Sequence, residues 1–143
     1  MLSIPGTHDS ATYSSHNLFQ FGFSSQCQSW SILNQLKAGI RFLDLRVKMH
    51  QNKLITHHGV AKFDDLLNIV MQINWFLRTN PNEFLIAAFQ GVKGPDHSSS
   101  IIDLFEKRQM PYLLSNTIPK VEEVRGKVWI IRGYHIPFAH QTF

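Results

Sequence analysis

The chain has 143 residues, 43% of them hydrophobic, enough for one domain with a packed core and too apolar for a disordered polymer. Its formal charge of +4 favours contact with an anionic surface, but no Lys/Arg run is dense enough for a nucleic-acid arm. The single cysteine, Cys27, excludes an internal disulfide, and no apolar run approaches the ~18 residues of a membrane-spanning helix. Met1 leads within four residues into a Pro-Gly turn, so no signal peptide is read and the chain is expected to be soluble and unanchored.

In chain order, a short apolar strand, Met1–Ile4, runs into the polar turn Pro5-Gly6-Thr7-His8-Asp9-Ser10. His8 and Asp9 are adjacent, so their side chains are expected to diverge. Residues 12–28, rich in Ser, Asn, Gln and Phe, read as an irregular loop, with Phe19, Phe21 and Phe23 either packing on the core or forming a membrane-touching rim. A helix over Ser29–Ala38 follows, capped by Ser29, carrying Trp30 and Leu33 at helical spacing and closed by Gly39. Arg41–Val47 reads as a buried strand whose end places Asp44 and Arg46 on one side. A turn at His50–Lys53 and a partner strand, Leu54–Thr56, lead to His57-His58-Gly59, and the tight connection makes the pair locally antiparallel. Phe63–Thr79 is the strongest helix, with Trp75 and Phe76 widening its apolar face, and Asn80-Pro81 stops it. Glu83–Phe89 is an apolar run suited to a strand buried on both faces, with Gln90 at its end. Gly91–Ser100 reads as a loop, Ser100–Arg108 as a helix and Val128–Ile131 as a further buried strand ending in Arg132. Strand and helix alternate, which argues for an α/β fold whose parallel strands deliver polar groups at their C-terminal ends.

Five spaced segments carry a resemblance. Ser3–Ser10, Gln35–Arg46, His57–Gly59, Asn80–Glu83 and Arg125–Val128 resemble, in that order, the X domain of phosphatidylinositol-specific phospholipase C, over about residues 3–134. The resemblance implies a distorted TIM barrel, of which this chain would supply roughly the first half, with residues 1–143 forming an X domain incomplete at both ends. It implies a phosphoric diester hydrolase that cleaves phosphatidylinositol, or a glycosylated form, to diacylglycerol and inositol cyclic phosphate. In that scheme His8 is the general base, His58 the general acid and Asp9 the carboxylate that orients His58. Asp44 and Arg46 match the bacterial-type, metal-independent arrangement, because calcium-dependent members carry a second carboxylate at the position of Arg46. No cofactor and no metal ligands are therefore expected. The partner implied is a phosphatidylinositol-type lipid met at a membrane surface, with no nucleic acid and no transmembrane segment.

The residues admit these roles on chemical grounds. Displacement at phosphorus needs a base and an acid, and imidazole serves as either near neutrality. A guanidinium is always charged and forks onto two phosphate oxygens, so Arg46 can stand in for a metal. Read singly, His8 is equally a turn histidine, Arg46 a structural partner of Asp44, and His57 a structural or solvent-facing residue. The chain also departs from the pattern. Gln90 stands where bacterial members have a lysine, and Arg132 is the residue placed to compensate, so both are expected to bind substrate. The carboxylate that partners the first histidine belongs to the half of the barrel not represented here. The alternative reading is a non-catalytic domain that binds a phosphoinositide headgroup or a partner.

Overall fold

A computed structural model describes residues 3–13, 25–91, 95–115 and 117–132, the side chains of residues 95–98 and 132 excepted. Phe19, Phe21 and Phe23 lie outside them. The elements are β1 (Gly6–Thr7), α1 (Ile32–Lys37), β2 (Phe42–His50), β3 (Lys53–His58), β4 (Ala61–Asp65), α2 (Leu66–Thr79), β5 (Leu85–Gln90), α3 (Pro95–Lys107), β6 (Tyr112–Leu114), α4 (Val121–Val124) and β7 (Val128–Arg132).

β2, β5 and β7 lie side by side and parallel, with Asp44 beside Ala88, Arg46 beside Gln90 and Phe89 beside Arg132. β1 adds to β2 in parallel and β6 adds to β7 in parallel. The strands expected at Arg41–Val47, Glu83–Phe89 and Val128–Ile131 are thus parallel and adjacent in chain order, and β1, which lies after the expected Met1–Ile4, joins β2 in parallel. β2, however, outruns the sheet. Its last four residues pair with β3 antiparallel, Val47 with Thr56 through His50 with Lys53, and β4 returns along β3. Gln51 and Asn52 form the two-residue turn at positive φ (49° and 60°), the geometry that matches strand twist in a tight hairpin.

β5 is apolar because it is buried on both faces, and the helices cover one face of the whole parallel sheet. Leu43, Leu45, Leu85, Ala87, Phe89, Val128 and Ile130 pack against Ile32 and Leu36 of α1, Ile69, Val70 and Ile73 of α2, and Ile101 and Phe105 of α3. Each of these side chains apart from Ala87 contributes about 1.5–3 kcal/mol by leaving water. At the N-terminal end of the sheet the Arg41 guanidinium bonds Glu83 (2.8 Å) and lies over the Phe76 ring, and the Gly126 amide donates to the Glu83 carbonyl (2.7 Å). The segments Asn80–Glu83 and Arg125–Val128 therefore belong to the scaffold, at the opposite end from the histidines.

Several expectations are corrected. The first strand is Gly6–Thr7, inside the stretch read as a turn, because Arg41 and Phe42 donate to the Pro5 carbonyl and draw that segment against β2. Ser31, not Ser29, caps α1, and its buried face is Ile32, Gln35 and Leu36, leaving Trp30 exposed. Phe63 lies in β4, because Asp65 caps α2 and the helix starts three residues later, at Leu66; Trp75 faces solvent under the Lys37 ammonium. Residues 95–100 are helical, α3 beginning at Pro95 where a proline suits the first turn. β6 and α4 lack a period long enough to be read.

Candidate active site

The site is built on the turn after β1 and on the C-terminal ends of β2 and β3. Gly6 must be glycine for this turn to sit where it does. A Cβ there would lie 2.9 Å from the Phe42 Cβ, a contact that no rotamer relieves. Beyond it, Ser10 stitches the turn to β2, its amide donating to the Asp44 carbonyl (2.8 Å) and its Oγ accepting from the Asp44 amide (2.9 Å). Gln35 of α1 holds the turn from behind: its amide donates to the Ser10 carbonyl and its oxygen accepts from Thr7 Oγ1, both at 2.8 Å. Gln35 is buried and joins core to site.

Asp9 stands at the centre, with its side chain wholly buried. Its Oδ1 is 2.6 Å from Arg46 Nε, an ion pair held by charge, since the angle is not that of a hydrogen bond. Its Oδ2 is 3.5 Å from His8 Nδ1 and 3.7 Å from His58 Nε2. The expectation that His8 and Asp9 diverge is therefore wrong. Asp9 adopts φ 47°, a left-handed conformation that aspartate tolerates, and this folds both side chains toward the same space.

Asp44 is nearly buried and acts on the turn: its Oδ2 accepts from the Asp9 amide (3.1 Å) and lies 3.8 Å from Arg46 Nη2. Asp44 and Arg46 share a side of β2, as the alternation required, yet Arg46 sits closer to Asp9. Arg46 Nη2 also donates to His8 Nε2 (2.8 Å), which leaves the proton of a neutral His8 on Nδ1. His58 Nδ1 donates to the Ser25 carbonyl (2.9 Å), so its Nε2 is the nitrogen turned toward Asp9. β3 brings His58 there because the hairpin runs out along β2 and returns to the level of Arg46.

His57 takes the other side of β3, its ring against Gly91. Burial and then the Lys48 charge lower its pKa from 6.5, so it stays neutral at neutral pH. Gln90 is exposed at the end of β5, in register with Arg46. Arg132 ends β7 beside Phe89, and its side chain lies outside the described residues. Sequence reasoning missed Ser10, Gln35, Ser25 and Cys27. Cys27 Sγ is 3.7 Å from His58 Nδ1 and 3.8 Å from Asp9 Oδ2, contacts across 31 and 18 residues that no local pattern signals.

The arrangement places two imidazoles and a guanidinium around one buried carboxylate, at the end of a parallel sheet where α/β folds keep their chemistry. The family model of the phosphatidylinositol-specific phospholipase C X domain matches residues 2–133. The chain belongs to this family. It is 32% identical to the 1-phosphatidylinositol phosphodiesterase of Listeria monocytogenes, an alignment that covers 94% of the chain and 44% of the relative. The solved phosphatidylinositol-specific phospholipase C of L. monocytogenes superposes with a TM-score of 0.75 at 29% identity, over 94% of this chain and 52% of that one. The S. aureus phosphatidylinositol-specific phospholipase C shares the fold at 22% identity, with a TM-score of 0.74 over 90% of this chain and 46% of that one. The X-domain chain thus spans about half the length of the relatives it matches, and its parallel sheet is part of a TIM-type barrel. Among the described residues, no helix is long and apolar enough to cross a membrane.

Proposed function

We propose that this X-domain chain carries the acid, base and phosphate-binding groups of a metal-independent phosphodiesterase acting on phosphatidylinositol, or a glycosylated form, at a membrane surface. One observation supports the reading above the others: Asp9 meets Arg46, His8 and His58 within 2.6, 3.5 and 3.7 Å. The name of the Listeria relative and the membrane binding of the S. aureus enzyme point the same way.

The steps follow from the protonation pattern. A phosphate entering the site accepts the Arg46 N–H groups and takes the place of His8 Nε2 as their partner. His8 Nε2, its lone pair released, accepts the proton of the inositol 2-hydroxyl, and that oxygen attacks phosphorus. The bond from phosphorus to the glycerol oxygen breaks, and His58, entering the step as an imidazolium with its Nδ1–H on the Ser25 carbonyl, gives its Nε2 proton to that oxygen. The products are diacylglycerol and inositol cyclic phosphate. Arg46 bears on the non-bridging oxygens as their negative charge grows, and Asp9 holds both Arg46 and the His58 ring in place. Gln90 is placed to bond a sugar hydroxyl.

The test is cleavage of phosphatidylinositol vesicles by the full-length protein in excess calcium chelator, followed by phosphorus NMR for the cyclic phosphate. Activity should survive the chelator. Arg46→Lys should lose roughly a hundredfold to a thousandfold in kcat, since an ammonium cannot span two phosphate oxygens. Loss of activity on chelation overturns the reading, and headgroup binding without cleavage would assign the domain to recognition instead.

A further inference from the structure

Cys27 is exposed, and the steps above leave it idle. Its Sγ, the Asp9 carboxylate and a His8 ring nitrogen all lie within 4.8 Å of one another. A tetrahedral ion with bonds of ~2.0–2.3 Å separates its ligand atoms by roughly 3.3–3.8 Å. Two edges of the triangle already have that length, His8 Nδ1 to Asp9 Oδ2 at 3.5 Å and Cys27 Sγ to Asp9 Oδ2 at 3.8 Å. The third closes by rotation of His8, whose side chain is 65% exposed. His58 Nε2, 3.7 Å from the same carboxylate oxygen, is the next donor in reach.

Charge favours a cation as well. Asp9 and Asp44 are both buried, each with an Oδ1 that lacks a hydrogen-bond partner, and among the described residues Arg46 is the one guanidinium that meets them. Two carboxylates and a thiolate against one guanidinium leave two negative charges, and a divalent ion brings the cluster to neutrality.

We infer that Cys27, Asp9 and His8 form a binding site for a thiophilic divalent ion of the zinc class, and that the ion shuts the phosphodiesterase site. Sulfur and imidazole ligands select zinc-like ions over calcium and magnesium. On binding, the Cys27 thiol releases its proton to solvent, the His8 Nδ1 proton passes through solvent to Nε2 as the ring turns away from Arg46, and the thiolate and the freed Nδ1 each donate an electron pair to the metal. The bound ion takes the Asp9 oxygen that faces His58 and pins His8, so orientation of the acid and freedom of the base are lost together. Metal binding stands on the geometry alone; its inhibitory effect rests on the proposed function.

Cobalt(II) titration of the tag-free, full-length protein tests the site by absorption. A near-ultraviolet sulfur-to-cobalt charge-transfer band should grow to one equivalent and vanish on adding zinc. Cys27→Ser should abolish the band with unchanged circular dichroism, and His8→Gln should weaken cobalt binding roughly tenfold or more. No band in the wild type, or the same band in Cys27→Ser, overturns the proposal. On phosphatidylinositol vesicles, with each protein scaled to its own zinc-free rate, Cys27→Ser should need roughly tenfold more zinc for half-inhibition than the wild type. Equal zinc sensitivity overturns the inhibitory role. A Cys27-dependent band in a protein that never cleaves the lipid leaves the metal site standing while the proposed function falls; cleavage without the band does the reverse.

Discussion

Replacing Asp9 by Asn removes one charge and almost no volume, at a backbone position with φ 47° that asparagine adopts as readily as aspartate. The fold should therefore persist. What changes is the field on His58: a unit charge 3.7 Å from a protonated imidazole is worth about 4.5 kcal/mol at an effective dielectric of ~20. The His58 side chain is 31% exposed, so solvent screening reduces that to roughly 2–4 kcal/mol. At 1.36 kcal/mol per decade, kcat on phosphatidylinositol should fall by roughly thirtyfold to a thousandfold. The loss should shrink on an inositol phosphate ester with a nitrophenol leaving group, which departs without protonation, because Asp9 acts there mainly through Arg46. Stopped-time assays on the two substrates, with circular dichroism to confirm folding, give both numbers. A loss under threefold on the lipid, or the same loss on both substrates, refutes the assignment of Asp9 as the residue that orients the acid.

His58→Ala should spare the nitrophenyl substrate more than the lipid, whereas His8→Ala should impair both, since the attacking hydroxyl still needs a base; matched losses for His58→Ala on the two substrates would remove it as the acid. Gly6→Ala places a Cβ against Phe42 and should cost about 1–3 kcal/mol in urea unfolding while lowering activity; an unchanged midpoint would show that the approach of β1 to β2 is not constrained. The Arg41 hydrogen bond, opposed by burial and helped least by the Arg41 charge, lowers the Glu83 pKa from 4.5. Glu83 then contributes stability above pH 4.5 that is lost as pH falls through its folded value. The gap in unfolding midpoint between wild type and Glu83→Gln should be full at neutral pH and close in acid; a gap independent of pH would contradict the pairing.

The sequence made the parallel strands legible because two covered faces leave almost no polar residue between Leu85 and Phe89. It made Asp44 and Arg46 legible as a same-side pair because strand alternation is rigid. The site histidines and Arg46 came from the spaced motifs, and the structure brings them together around Asp9. What stayed hidden depends on non-local contacts. β1 is strand only because Pro5 is bonded by Arg41 and Phe42, which no pattern in residues 3–10 encodes. The left-handed turn at Asp9, which reverses the expected divergence from His8, is a single-residue backbone choice. Gln35 looked like one polar position on a helix; its role appears only when Thr7 and Ser10 pack above it.

The overhang of β2 beyond the sheet has a consequence for how this architecture tolerates change. His58 owes its height to cross-strand register, Val47 with Thr56, and not to the number of residues beyond His50 and Lys53. Matched pairs of residues added at the Gln51-Asn52 tip would lengthen the arm without shifting the acid. A single residue added to one arm would rotate every later position of β3 and exchange His58 for His57. The tip is thus a place where length can vary freely in even steps, an insertion port for a peptide or a reporter, while odd steps are lethal to the chemistry below.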